Sequence, residues 1–415
     1  MYKRDFIKTI GALSATAISS NAFADDYKFS REKYGYPDYP YWDGDRSKGS
    51  TTWNIDKYKV AQFSGAIETY LPYNNIPKSS SPYEIQEKIQ KDIKYGGFIN
   101  KKSLNEYFFK KPITSFTITK NNNLIYEKFG FDRNNTMRMH SWSMAKSVSG
   151  ILLGICLDKK IIDSLDDVAA KYVPSLSNSY HGSITLRNLS NMSSGADISH
   201  AKANEYIYPM AFKNRGSDIT KVVAEWNKSN NKQGQKFNYN ELCVLTIGMV
   251  IRSATRQSLS EFARHNLWDK LGATADATWM TDSSSSEFNC IGFNAITRDW
   301  AKIGMMIANR GRLNGSQILS ENWIREITTW SEKDRQVMLP KPAETPVSFP
   351  KSGYKSLFWH FREDGSLPMF SGAGGQFLLI DMKSNTVILQ TALSDEYEWM
   401  NDLLEINEAV GQLNI

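Results

Sequence analysis

Cysteine, histidine and long apolar runs are all scarce in this chain, and each shortage narrows what it can be. Three cysteines, Cys156, Cys243 and Cys290, are spread over 415 residues. An odd, scattered set is not a disulfide framework, and Cys156 and Cys243 lie inside apolar runs, the setting of buried free thiols; pairing of two of them stays open for an exported protein. The five histidines, His140, His181, His200, His265 and His360, show no ligand spacing. Neither C-x-x-C nor H-E-x-x-H is present, so no metal and no cofactor is implied. No apolar stretch reaches the roughly 18–20 residues of a membrane helix. The chain also lacks a G-x-S-x-G elbow, and His140, three residues before Ser143, is too close in sequence to act as the base of a Ser-His-Asp triad. Charge is nearly balanced, at 50 Lys and Arg against 44 Asp and Glu. With no basic stripe interleaved with aromatics, nucleic acid is not an expected partner.

What is present describes a globular chain. A composition of 41% hydrophobic, 12% aromatic and 23% charged residues suits a packed core, and the length suits one large domain with an insertion, or two domains. The first 24 residues differ. Lys3-Arg4-Asp5-Phe6-Ile7-Lys8 is a basic opening, Thr9 to Ser20 is small and mildly apolar, and Ala22-Phe23-Ala24 has the form of a cleavage site. Residues 1–24 therefore read as an export signal, twin-arginine-like with lysine at the first arginine, and the expected location is periplasmic or secreted. Residues 25–105 are rich in Tyr, Pro, Asp and Lys and predict turns with little regular structure. Their aromatics need a surface to pack on, which makes this an extension wrapped on the main domain; a free-standing binding module is the alternative.

The main domain, 106–415, has strands at both ends. Ser115–Thr119 and Leu124–Phe129 flank an Asn121-Asn122-Asn123 turn, which reads as a hairpin. Apolar spacing predicts helices over 242–251, 258–271 and 297–308. Two further strands, 375–380 and 386–391, and a helix over 396–413 close the chain. Strands from both ends with helices between them predict an α+β fold, an antiparallel sheet flanked by helices with a mostly helical insertion.

Ser143-Met144-Ala145-Lys146 lies between the first hairpin and an apolar run, Val148, Ile151, Leu152 and Ile155, of helical period. Ser143 should open a helix and Lys146 should stand one turn above it, on the same face. Five other S-x-x-K matches, at Ser30, Ser199, Ser229, Ser348 and Ser352, lack that setting. A serine at a helix N-terminus, where free N–H groups favour negative charge, suits a nucleophile that must become an alkoxide. A desolvated lysine beside it suits a general base. The plain alternative is a capping serine with a surface lysine.

Ser141-Trp142-Ser143-Met144-Ala145-Lys146-Ser147 with Gly150-Ile151-Leu152-Leu153-Gly154-Ile155 resembles the active-site helix of the serine β-lactamase-like hydrolases. These include class C β-lactamases, D-alanyl-D-alanine carboxypeptidases, S-x-x-K esterases and 6-aminohexanoate-dimer hydrolases, and the Ser-Trp-Ser start is most like the last. Ser164-Leu165-Asp166-Asp167, Ile184-Thr185-Leu186-Arg187-Asn188-Leu189 and Met192-Ser193-Ser194-Gly195 resemble the family's next segments. The resemblance implies the following roles: Ser143 is the nucleophile, Lys146 and Tyr239 move protons, and the backbone amides of Ser143 and Ala373 hold the oxyanion. Tyr239 comes from Gln235-Lys236-Phe237-Asn238-Tyr239-Asn240-Glu241, which matches the Tyr-x-Asn motif except that Glu241 replaces asparagine. Glu241 is carried over as a substrate-binding residue, but an acid there would pair with Lys146 and raise its pKa: either Glu241 turns away, with Asn240 or Asn238 substituting for the motif asparagine, or the basicity of the site differs. Phe370-Ser371-Gly372-Ala373 matches the family's Lys-Thr-Gly edge strand, with Gly372 at the substrate and no motif lysine.

The function so implied is a serine hydrolase working through an acyl-enzyme on a small ester or linear amide. A β-lactamase or D-alanyl-D-alanine carboxypeptidase is the alternative within the class. A catalytically silent binding protein is the alternative outside it.

Overall fold

The computed structural model describes residues 31–35, 56–64, 72–97, 100–198, 207, 218–331, 334, 353–362, 364–394 and 399–415. The expected export signal lies outside these residues. The expected hairpin comprises β3 (Ile113–Lys120) and β4 (Asn123–Phe129). Asn121 and Asn122 take φ of 48° and 63° between them, the left-handed pair that a two-residue hairpin turn needs and that asparagine tolerates. The closing strands are β11 (Gln376–Asp381) and β12 (Thr386–Ala392).

An eight-stranded sheet forms around them. It adds β2 (Gln86–Glu87), β8 (Gly353–Lys355), β9 (Phe358–His360) and β10 (Pro368–Gly372), in the order β8-β9-β10-β11-β12-β3-β4-β2. All its neighbours are antiparallel except β2 on β4. Every residue of β3, β11 and β12 is buried, so both faces of the sheet are covered, and β12 shows how. A methyl group on Gly304 of the helix Thr297–Ala308 would strike the Val387 side chain at 2.4 Å, which places that helix on one face. The period of two puts Gln390 and Ala392 on the other face. There Tyr107, from the helix Leu104–Lys110, donates to Gln390 at 2.6 Å, and Trp399 opens the last helix, Trp399–Gly411.

The predicted α+β architecture is what the chain forms, with one addition. A second sheet, in the order β1-β6-β7-β5, joins β1 (Tyr73–Ile76), β6 (Ala277–Met280), β7 (Phe293–Ala295) and β5 (Met139–His140). It corrects two expectations: the helical region contributes strands, and so does the 25–105 stretch. Short strands acquire their identity from pairing, here Tyr73–Ile76 against Ala277–Met280 across some 200 residues. The described parts of 25–105 also dock through Asp269, whose carboxylate and carbonyl accept from Ser79 and Ser80.

Candidate active site

β5 delivers the chain to the helix of interest. His140 pairs with Asn294 of β7, the Ser141 amide donates to the Phe293 carbonyl at 3.1 Å, and the helix Met144–Asp158 begins directly after Ser143. Trp142 between them adopts φ 46°. A bulky residue in left-handed backbone is strained, and it turns the chain sharply so that Ser143 emerges at the helix N-terminus. His140 plays a structural part. Its Nδ1 faces the Asn294 side chain at 2.9 Å, and burial pushes its pKa down to about 4, so the ring is neutral.

Ser143 is half-buried, whereas Lys146 below it is closed off from solvent. The Lys146 ammonium donates to Ser143 Oγ at 2.9 Å, to Glu241 Oε1 at 3.1 Å and to the Cys290 carbonyl at 3.1 Å. Three protons meet three acceptors. Glu241 is in the first turn of the helix Glu241–Thr255, whose N-terminus favours an anion, while the N-terminus of the Ser143 helix disfavours the lysine cation. Burial alone would lower the Lys146 pKa. Tyr239, once ionised at high pH, and the Glu241 carboxylate outweigh it, and the net direction is upward. The ground state is an ion pair, not the neutral amine expected of a ready base.

The expected pairing of Glu241 with Lys146 forms, and the expected substrate contact of Glu241 is corrected. Its side chain is fully buried, so it meets Lys146 and presents nothing to a substrate. Neither nearby asparagine takes over the motif role. Asn240 caps the helix by accepting from the Cys243 amide, and Asn238 donates to the Ala196 and Ile198 carbonyls at 3.1 and 2.7 Å.

Tyr239 precedes that cap and lies over the same lysine, with Lys146 Nζ 4.9 Å from the ring centroid. Burial raises its pKa, and hydrogen bonding to Ser143 and Lys146 with the lysine's charge offsets only part of the rise; the phenol stays protonated at neutral pH. Trp359 and Tyr354 flank the ring at centroid distances of 5.4 and 5.7 Å. Sequence reasoning missed both, as it missed the Cys290 carbonyl, because nothing local distinguishes an aromatic that lines a site from one in a core.

β10 brings up the last pieces. It is third from the sheet edge rather than on it, but its pairing with β9 stops at Met369, so that side of Phe370–Gly372 has no strand partner among the described residues. Gly372 is buried, and a methyl group there would stand 2.4 Å from the Ser141 carbonyl and 3.1 Å from Trp142 Cβ. Only glycine lets the strand end lie this close to the nucleophile turn. Gly372 thus meets the protein's own backbone, and the exposed Ala373 follows it at the mouth of the site. Neither the Ser143 nor the Ala373 amide donates to another group among the described residues. Phe370, in the place of the family's lysine, is wholly buried in the core.

This arrangement has a hydroxyl above a buried lysine, a phenol at its side and two amides at its rim. No group of three or more His, Cys, Asp or Glu side chains suited to a metal exists among the described residues, and all three cysteines there are unbridged. No helix of the described residues is long and apolar enough to cross a membrane.

Comparison with known proteins identifies similar chains. A 6-aminohexanoate-dimer hydrolase of Paenarthrobacter ureafaciens is 22% identical over 260 residues, 60% of this chain; the match spans 64% of that relative, just under two thirds of its length. A solved Bacillus anthracis structure, provisionally assigned as a 6-aminohexanoate-dimer hydrolase, superposes with a TM-score of 0.74 at 22% identity, over 86% of this chain and 95% of the other. A family VIII carboxylesterase structure matches with a TM-score of 0.57 at 16% identity, over 74% and 94% of the two chains. At such identities these structures establish a shared fold. The beta-lactamase family model matches residues 110–390, which spans the nucleophile turn, the Tyr239 loop and β10: the chain belongs to the beta-lactamase family.

Proposed function

We propose that this protein is an exported serine hydrolase that cleaves a small ester or linear amide through an acyl-enzyme. The observation that carries the reading is the 2.9 Å hydrogen bond between Lys146 Nζ and the half-exposed Ser143 Oγ at a helix N-terminus. Ser143 attacks the carbonyl, and the oxyanion is met by the Ser143 and Ala373 amides. Lys146, once it has lost its own proton, takes the serine's. Tyr239 passes a proton to the leaving group, and water then releases the acyl group. Glu241 sets when Lys146 becomes neutral. Buried Phe370 leaves no cation at the position where lactam-hydrolysing members bind a carboxylate, which counts against β-lactams. The names of the Paenarthrobacter relative and the carboxylesterase neighbour support a linear amide or an ester as substrate. Export rests on the basic opening and the Ala22-Phe23-Ala24 site.

One observation favours a second reading. A lysine held as an ammonium by a buried carboxylate is a poor base, which suits a silent binding protein. Labelling with a fluorophosphonate separates the two: the enzyme forms an adduct on Ser143 that Ser143→Ala abolishes, and absence of an adduct on intact protein sinks the hydrolase. A panel of nitrophenyl esters, 6-aminohexanoate dimer and a chromogenic cephalosporin then ranks the substrates, with the cephalosporin expected last.

A further inference from the structure

We propose that Phe63, outside the matched family region, is a positioning residue that holds the two oxyanion-bearing loops in register. The inference rests on the hydrolase reading for its meaning, but its geometry is independent of it. Phe63 follows the short helix Lys59–Gln62 and is almost completely buried. On one side its ring packs against Trp142, 5.5 Å between centroids, immediately before Ser143. On another, a methyl group built on Gly374 would stand 2.7 Å from Phe63 Cε1, immediately after Ala373. One aromatic ring thus touches the residue next to each proposed oxyanion donor.

The backbone of Phe63 is anchored to the same place. Its carbonyl accepts from the His140 amide at 3.2 Å and from Arg133 Nη1 at 2.7 Å. Arg133 is itself buried, and its other terminal nitrogen donates to the Arg138 carbonyl at 3.0 Å. A buried guanidinium spent on two carbonyls is a costly fastening, and it fixes the strand that enters the nucleophile turn to the segment that carries Phe63. Trp142, in left-handed backbone, also packs on the His140 ring at 4.9 Å, and Gly374, at φ 77°, has no side chain. The Phe63 ring wedged between them ties the two loops to each other, and catalysis by preformed donors depends on their staying in place.

The test compares Phe63→Ala, Phe63→Leu and Arg133→Met with Val60→Ala, which makes a cavity in the same buried segment three residues before Phe63. Steady-state hydrolysis of a nitrophenyl ester, fluorophosphonate labelling rate, and amide hydrogen exchange over 140–144 and 372–376 are measured well below each melting temperature. Phe63→Ala is expected to lower kcat and the labelling rate by about 10–100-fold with KM changed by less than about 3-fold, and to speed exchange in both loops. Phe63→Leu should recover most of the rate, Arg133→Met should fall between, and Val60→Ala should keep native kcat. Labelling and exchange equal to native in folded Phe63→Ala overturns the positioning role. If native protein does not label, the hydrolase reading fails, and unchanged exchange in Phe63→Ala then removes the structural claim as well.

Discussion

Replacing Glu241 by glutamine tests the central electrostatic argument, because it removes a charge while keeping the shape. Lys146 and Glu241 lie 3.1 Å apart with both side chains out of solvent. Removing one partner of a buried ion pair costs about 3–5 kcal/mol if the other stays charged. At about 1.36 kcal/mol per pH unit, a penalty of that size moves the Lys146 titration down by roughly two to four units. A lysine whose folded pKa is raised stabilises the fold fully below its unfolded value, near 10.4, and loses that contribution as pH rises through the folded value. The native pair therefore contributes across the neutral range, and Glu241→Gln lowers Tm at pH 7. Acylation needs Lys146 neutral, so native kcat/KM for a nitrophenyl ester should rise about tenfold per unit between pH 7 and 9. In Glu241→Gln that limb should move to lower pH and the rate at pH 7 should increase. The same substitution lowers the Tyr239 phenol, so the pair Glu241→Gln with Tyr239→Phe assigns the limb: a limb that persists belongs to Lys146. A limb that stays put, or moves up, refutes the account.

Four further outcomes follow from the geometry. Lys146→Ala and Tyr239→Phe each should reduce turnover by about 10²–10⁴-fold while the fold survives; near-native rates in either remove that residue from proton transfer. Gly372→Ala should push β10 off the Ser141 carbonyl and displace the Ala373 amide. Turnover then falls by about 10²-fold, and wild-type kcat would show that the strand end has room to spare. Burial depresses His140 and His181 to about 4 and His360 to about 3. A histidine with lowered folded pKa binds protons more readily unfolded, so each loses stabilisation as pH falls from about 6.5 toward its folded value, on the order of 3 kcal/mol for His140 alone. Tm should drop steeply between pH 6.5 and 4, and a flat Tm over that interval contradicts neutral burial. Finally, Ser143→Ala should leave Tm within a few degrees of native, since Ser143 makes no side-chain cap bond to its helix; a large loss would recast Ser143 as structural.

Much of the fold was legible because its signals are local. Asn121-Asn122 dictates a turn of the observed hand, the run Val148 to Ile155 dictates a helix, and the final hairpin alternates around a Lys383-Ser384-Asn385 turn. The second sheet was illegible for the opposite reason. β5 and β7 have two and three residues, and their strand character comes only from neighbours distant in sequence. At the site, the nucleophile and its lysine follow from helical spacing, whereas the direction of Glu241 depends on how two helix N-termini meet. Phe63 was hidden in a tyrosine- and lysine-rich stretch whose sequence does not say which face of the domain it covers.

The strand order also has a bearing on how the molecule comes into being. β12 is not at the rim of the eight-stranded sheet but in its interior, between β11 and β3. Its partner β3 is made some 270 residues earlier, so the interior of the sheet waits until residue 392 has been added, and closing so long a loop is slow. A chain that stops before residue 386 loses the middle of its sheet rather than an edge, and the two halves have nothing to bridge them.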